Sequence, residues 1–147
     1  MSTSNRIYMI KTNARMMFNQ NVKDILNGFN SISRYHTKKF EDAVIYIGSY
    51  AIDIETRERV KIDTFNNGYK GRPYKKIDTE GNVHFEIFVI CEGKGARTVA
   101  GKIYKNACKN ELNPSFPTII SNSTRDELLN VNYTFYHRKV GSTNERN

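Results

Sequence analysis

Residues 83–91 read VHFEIFVIC, and this stretch is the clearest strand in the sequence. Side chains that alternate with a period of two point to opposite faces of a β-sheet. Val83, Phe85 and Ile87 therefore share one face, while Phe88 and Ile90 belong to the other. Since both faces are partly apolar, we expect this strand to lie in the middle of a sheet.

Other segments with the alternation of strands precede and follow 83–91. Turn signals separate several of them, namely Asn66-Asn67-Gly68, the acidic loop at 78–82 and the glycine-rich loop at 92–97. Strands joined by such short turns form antiparallel hairpins. The candidate strands span 50–54, 60–64, 72–77, 83–91, 98–105, 116–121 and 131–139.

Two segments before Gly48 have helical periodicity, because their apolar side chains recur every three or four residues. The predicted helices span about 20–33 and 38–47, and Gly48 is placed to end the second in a left-handed C-cap. Two helices followed by hairpins are typical of an α+β domain. We therefore expect two N-terminal helices packed on one face of an antiparallel sheet of about five or six strands.

The positive charge is concentrated near the N-terminus. The 147 residues have a formal net charge of +8, and the first 40 contain seven basic residues and one acidic residue. The first 23 contain no acidic residue and mix basic, hydroxyl and apolar side chains, a composition typical of a mitochondrial targeting segment. The alternatives to a targeting segment are a basic arm that contacts phosphate or a partner, and a solvated tail.

These patterns divide the chain into three parts. Residues 1–18 are expected to be a basic N-terminal arm or targeting-like segment, 19–140 a single α+β domain, and 141–147 a polar tail. No apolar run approaches the ~18–20 residues that a membrane-spanning helix needs, so we expect no transmembrane segment.

Catalytic and metal-binding signatures are missing from the sequence. The three histidines are isolated from one another, and Cys91 and Cys108 lack the spacing of zinc ligands. We therefore expect a protein that is not an enzyme and has no catalytic, cofactor-binding or metal-binding residues. The alternative is an enzyme that uses His84 with Glu86, which match the first half of a zinc deaminase motif whose second half is absent.

The glycine-rich loop Glu92-Gly93-Lys94-Gly95-Ala96-Arg97 has the composition of a phosphate-binding loop. The established phosphate-binding fingerprints follow a strand and open a helix. Because 98–105 is expected to be a strand, we predict that 92–97 is a hairpin loop.

Basic and aromatic side chains are interleaved between residues 69 and 76. This mixture suits single-stranded nucleic acid, where bases stack and cations follow the phosphates. It also suits an acidic protein surface or anionic lipid headgroups, and an edge strand protected by lysine and proline. The predicted partner-binding residues are Lys70, Arg72, Tyr74, Lys75 and Lys76.

Four segments carry a resemblance to a known family: AVIYIG at 43–48, KGRPYKKI at 70–77, DTEGNVHFEIFV at 78–89 and EGKGARTVAGKIY at 92–104. In this order they resemble the soluble domain shared by the mitochondrial presequence-translocase subunit Tim-twenty-one and the cytochrome-oxidase assembly factor Coa-one. That family has a membrane-spanning helix before the domain, and this sequence shows none there.

The resemblance implies a non-enzymatic accessory or assembly subunit that docks on a mitochondrial inner-membrane complex, either of the respiratory chain or the presequence translocase. Such a protein would lie peripheral to the inner membrane, and Arg72, Lys75 and Lys76 would carry its electrostatic contacts. The alternative is a small basic nucleic-acid-binding protein of organellar-ribosomal or phage-like type.

Overall fold

A computed structural model describes residues 6–12, 20–38, 42–61, 83–134 and 136–141. The chain begins with a strand, continues with a helix and then alternates between strands and helices. In chain order the elements are β1 (Ile7–Lys11), α1 (Gln20–Thr37), β2 (Ala43–Asp53), β3 (Val83–Gly93), α2 (Ala96–Lys109), β4 (Thr118–Ile120), α3 (Asn122–Leu128) and β5 (Tyr136–Gly141).

The five strands form one sheet in the order β4-β1-β3-β2-β5, and every pairing is antiparallel. From β1 to β4 the elements follow the β-α-β-β-α-β order of the split, ferredoxin-like arrangement, and β5 adds a strand beside β2. The central position predicted for 83–91 is confirmed, because β3 pairs with β1 on one side and β2 on the other.

α1 and α2 cover one face of the sheet and form the main core with it. Along β3 the side chains of Phe85, Ile87, Val89 and Cys91 are all buried, as the period of two requires for a strand that packs against helices. The fully buried members of this core include Ile10, Ile45, Ile47, Ile87, Val89, Cys91, Val99, Ile103 and Ala107.

The other face of the sheet carries a smaller apolar cluster. Phe88 and Ile90 of β3 are buried there, together with Tyr50 of β2 and Leu128 of α3. α3 therefore covers part of the face that α1 and α2 leave open. This second cluster explains why both faces of β3 are apolar in sequence.

The expected order of elements is wrong, because a strand comes first and α1 lies between β1 and β2. The segment 38–47 is not a second N-terminal helix, since β2 begins at Ala43. The apolar run from Ala43 to Ile47 fits a helix and a strand equally well by spacing. Strand pairing decides between the two structures, because Ile45 lies opposite Cys91 on β3 and opposite Val140 on β5.

The expected strand at 98–105 is also wrong, because these residues belong to α2. The buried positions of α2 are Ala96, Val99, Ala100, Ile103 and Ala107. Their spacing of three and four is that of a helix packed along one side. A window that stops at 105 omits Ala96 and Ala107, and the helical period is then too short to recognise.

The remaining predicted segments have mixed outcomes. β4 lies within 116–121, and β5 overlaps 131–139 but begins later, at Tyr136. The predicted strand at 72–77 lies outside the described residues. In the segment predicted as an arm, Ile7–Lys11 form β1, which lies inside the sheet between β4 and β3. None of the described helices combines the length and hydropathy needed to cross a bilayer.

Candidate functional site

The partner-binding residues predicted from the sequence, Lys70, Arg72, Tyr74, Lys75 and Lys76, lie outside the described residues. The described part of the chain has a different concentration of positive charge, on the solvent side of α2. Because five apolar positions of this helix face the sheet, its polar positions face water. The exposed cations of α2 are Arg97, Lys102, Lys105 and Lys109, and the helix contains no acidic residue.

The C-terminal part of α1 extends this basic surface. The two helices run antiparallel, since Gly28 faces Leu112 just beyond α2, whereas His36 meets Asn106 further back along it. Arg34 and Lys38 near the end of α1 are exposed. We call Lys38, Lys102, Lys105 and Lys109 the helical basic face.

His36 and Asn106 join the two helices beneath this face. The Asn106 side-chain amide donates to His36 Nε2 over 2.7 Å, and the histidine is buried. The ring of Tyr35 meets the ring of His36 edge-on with centroids 5.0 Å apart. Tyr35 itself is 56% exposed, so an aromatic ring reaches the solvent beside the junction of α1 and α2.

The Tyr35 ring contacts His36, and His36 is bonded to Asn106, which lies between two lysines of α2. Residues three or four positions apart on a helix are neighbours on its surface. Lys102 and Lys109 therefore flank Asn106, one turn before and one turn after it. Tyr35 lies seven residues after Gly28 and so on the same side of α1, the side that faces Leu112. This places the exposed aromatic ring on the lysine-bearing side of the helix pair.

The charge of α2 is not neutralised within the part of the chain that the structure describes. Ion pairs in that part join Lys11 to Glu86 and Arg125 to Glu92 and Asp126. Lys102, Lys105 and Lys109 have no ion-pair partner among the same residues. The next acidic residue along the chain, Glu111, follows the end of the helix.

The opposite face of the sheet holds a second group of polar side chains. Glu86 is 8% exposed, accepts a hydrogen bond from the Tyr50 hydroxyl over 2.8 Å, and lies 3.6 Å from Lys11 Nζ. Arg59 stacks on the Tyr50 ring at 4.6 Å and donates to the backbone oxygen of Glu127 over 2.7 Å. These contacts join the sheet to α3. We therefore assign this group of polar side chains a structural role in packing.

Burial lowers the pKa of Arg59 from its ordinary value, and the nearby Tyr50 and Glu127 oppose that shift. An arginine still keeps its charge at neutral pH. The guanidinium therefore remains a cation that α3 and the tyrosine ring surround.

His84 and Glu86, the residues of the alternative enzyme, share one face of β3. Glu86 is engaged by Tyr50 and Lys11. Among the described residues, no three histidine, cysteine, aspartate or glutamate side chains come together to hold a metal ion. Cys91 and Cys108 are free thiols, the first buried in the core and the second exposed on α2.

The glycine-rich loop at 92–97 does follow a strand and open a helix, so the predicted hairpin is wrong. Gly93 and Gly95 both have positive φ, at 92° and 85°, a conformation that glycine adopts readily. A Cβ at Gly93 would also collide with the backbone oxygen of Asp42. Backbone geometry therefore accounts for both glycines.

An open surface cavity of about 470 Å³ lies near the end of α2. It is lined by Tyr104, Cys108, Glu111, Asn113 and Pro114. The ring of Phe116 meets Tyr104 edge-on beside the cavity, with centroids 5.1 Å apart. Phe116 comes just before β4, which is an edge strand of the described sheet.

The sequence interpretation missed the helical basic face, although a signal for it exists. Residues 93–110 contain five basic residues and no acidic one. Once 96–109 is recognised as a helix, Lys102, Lys105 and Lys109 fall on one side of it. Comparisons of this chain with models of protein families, with curated proteins and with solved structures found no match.

Proposed function

We propose that this protein binds nucleic acid through its helical basic face. The observation that carries the proposal is the row of exposed lysines on α2, which no acidic side chain of the described residues neutralises. Cations in such a row attract the phosphates of a nucleic acid and release the counterions that surround them.

The spacing of the row suits a phosphate backbone. With a rise of about 1.5 Å per residue, Lys102 and Lys109 lie about 10 Å apart along the helix axis, and Lys105 lies between them. One strand of a duplex has a phosphate about every 3.4 Å along the axis. The row therefore spans several consecutive phosphates.

The proposal is tested by replacing Lys102, Lys105 and Lys109 together with glutamine and measuring binding to labelled oligonucleotides over a range of salt concentrations. For the wild type, the logarithm of the association constant should fall linearly with the logarithm of the salt concentration. The triple variant should bind more weakly, and its salt slope should be smaller by about two to three.

A matched control removes the same number of charges elsewhere. Arg6, Arg57 and Lys61 are exposed and lie outside α1 and α2, and their replacement with glutamine should change affinity far less. Equal losses of affinity in the two triple variants would show that binding depends on net charge alone and would contradict a site on α2. Binding to acidic vesicles or to an acidic protein, with none to nucleic acid, would overturn the proposal.

Docking on a protein assembly, as the family resemblance implies, is a second candidate. β4 favours it, because it is an outer strand of the sheet formed by the described residues, and Ile119 within it and Phe116 just before it are 55% and 72% exposed. An edge strand can pair with an extended segment of a partner protein. The family resemblance implies a helical lead-in at 43–48 and a hairpin that opens into a strand at 92–104, whereas the structure has a strand at the first and a helix in the second. The mitochondrial location stays a prediction.

The second candidate has its own test. Ile119→Lys places a charge on the β4 edge, and Ile54→Lys does so at an exposed isoleucine in the turn after β2. If docking uses β4, co-purification of a respiratory or translocase complex from a gentle detergent extract should be lost in Ile119→Lys alone. Recovery of that complex with both variants would contradict it.

A further inference from the structure

Tyr35 is an exposed aromatic side chain within a basic surface. Its ring is 56% exposed and lies at the junction of α1 and α2, where it contacts His36, the partner of Asn106. Lys38 follows it by three residues and is exposed as well. By their places in the chain, Lys38 just after α1 and Lys102 and Lys109 on α2 belong to the same surface as this ring.

The ring is held in place from below. Its edge packs against His36, and the hydrogen bond from Asn106 fixes that histidine. An aromatic side chain whose orientation is fixed before binding loses less conformational entropy when a ligand stacks on it. Tyr35 is thus presented to solvent as a flat apolar surface that the fold supports.

An exposed aromatic ring within a basic surface suits single-stranded nucleic acid better than a duplex. In a duplex the bases are stacked inside, and a surface ring finds only phosphates and sugars. In a single strand the bases are accessible, and proteins bind them by stacking on aromatic side chains while cations follow the backbone. We infer that the helical basic face takes single-stranded nucleic acid and that an unpaired base stacks on Tyr35. This inference rests on the proposed function and names its substrate class.

The chain itself supplies a spectroscopic test, because it contains no tryptophan. Tyr35→Trp places a single fluorophore at the stacking position, and Phe116→Trp places one at an exposed site on the β4 side. Single-stranded oligo(dT) should quench the fluorescence of Tyr35→Trp and leave that of Phe116→Trp nearly unchanged. Heparin, which has negative charge but no bases, should quench neither.

Affinity gives a second measurement on the full-length chain. Tyr35→Leu should weaken binding to oligo(dT) by about 5- to 150-fold, the range for loss of one stacked base. Its affinity for a duplex of equal length and its salt slope should stay at the wild-type values. Tyr35→Phe keeps the ring and should restore binding, and Phe116→Leu serves as the control.

The outcomes separate this inference from the proposed function. If Tyr35→Leu binds oligo(dT) as tightly as the wild type while the lysine variant loses affinity, the stacking inference fails and the proposed function stands. Equal loss of single-strand and duplex binding in Tyr35→Leu also contradicts stacking. If the wild type binds neither nucleic acid, both fail.

Discussion

His36 of α1 and Asn106 of α2 are joined across the helix layer by a hydrogen bond of 2.7 Å. His36 is buried, and a buried polar group that loses its partner bears the cost of its desolvation. The bond therefore fixes the spacing of the two helices whose outer surfaces form the helical basic face.

Asn106→Ala should lower the free energy of unfolding by about 1–3 kcal/mol, because it removes a hydrogen-bond partner of a buried ring. Urea denaturation followed by circular dichroism measures the change. Asn27→Ala, at an exposed position of α1, is the control and should leave stability unchanged or slightly raise it, since alanine is the better helix former. A neutral Asn106→Ala would show that the bond contributes nothing.

Gly93 and Gly101 should respond in opposite directions to replacement by alanine. Gly93 has positive φ, and a Cβ there would meet the backbone of Asp42. Gly101 lies in α2 with nothing within 4 Å of such a Cβ. We expect Gly93→Ala to cost more than about 1 kcal/mol and Gly101→Ala to gain up to about 1 kcal/mol. Thermal and urea unfolding of both variants test this, and destabilisation by Gly101→Ala would be the contrary result.

The parts of the fold that the sequence predicted correctly are those with a long, two-sided pattern. In β3 both faces are apolar, and no other element explains nine alternating residues. The start of β2 was ambiguous, because Ala43 to Ile47 is an unbroken apolar run. Only its pairing with β3 and β5 decides between strand and helix, and pairing is a long-range contact that local spacing does not contain.

Because 98–105 was predicted to be a strand, the candidate site on α2 could not be recognised from the sequence. With 98–105 read as a strand, Lys102 and Lys105 fall on opposite faces, whereas in a helix they are neighbours. The position of Tyr35 was equally inaccessible, since it depends on the packing of α1 against α2 through His36. The basic character of the segment was visible in the sequence, but its arrangement on one surface follows from the tertiary fold.

The two thiols should differ in reactivity. Burial raises the pKa of Cys91 to about 12, so its reactive thiolate is scarce in the native state. Cys108 is exposed. In native protein near pH 8, a thiol reagent should modify Cys108 within minutes and Cys91 only after unfolding, as mass spectrometry of peptides can show. Equally rapid labelling of both thiols would contradict the burial of Cys91.

The same shift makes stability depend on pH in alkaline solution. The pKa of Cys91 is about 12 in the fold against 9.0 as the ordinary value, so the native state holds the proton more tightly. This contribution is intact below about pH 9 and is lost as the pH rises toward 12, by up to about 1.4 kcal/mol per pH unit. Cys91→Ala should show a shallower decline than the wild type over that range in urea denaturation. If the stability of both proteins fell equally with pH, Cys91 would not be the source of the pH dependence.

Arg59 should hold α3 against the sheet. Its guanidinium stacks on Tyr50 and donates to the backbone oxygen of Glu127, and hydrogen bonds from a charged donor contribute about 1.5–3 kcal/mol each. Arg59→Ala should therefore destabilise the protein by about 2–3 kcal/mol, and Arg59→Lys should recover only part, because an ammonium cannot reproduce the planar fork.

Hydrogen exchange distinguishes a local effect of Arg59 from a general one. In Arg59→Ala the amides of 122–134 should exchange faster, because α3 loses its anchor, while those of β1 and β3 keep their protection relative to global stability. Arg57→Ala removes an exposed cation two residues away and should change stability by less than about 0.5 kcal/mol. Unchanged protection of 122–134 in Arg59→Ala would mean that Leu128 and the apolar cluster around Phe88 hold α3 without the arginine.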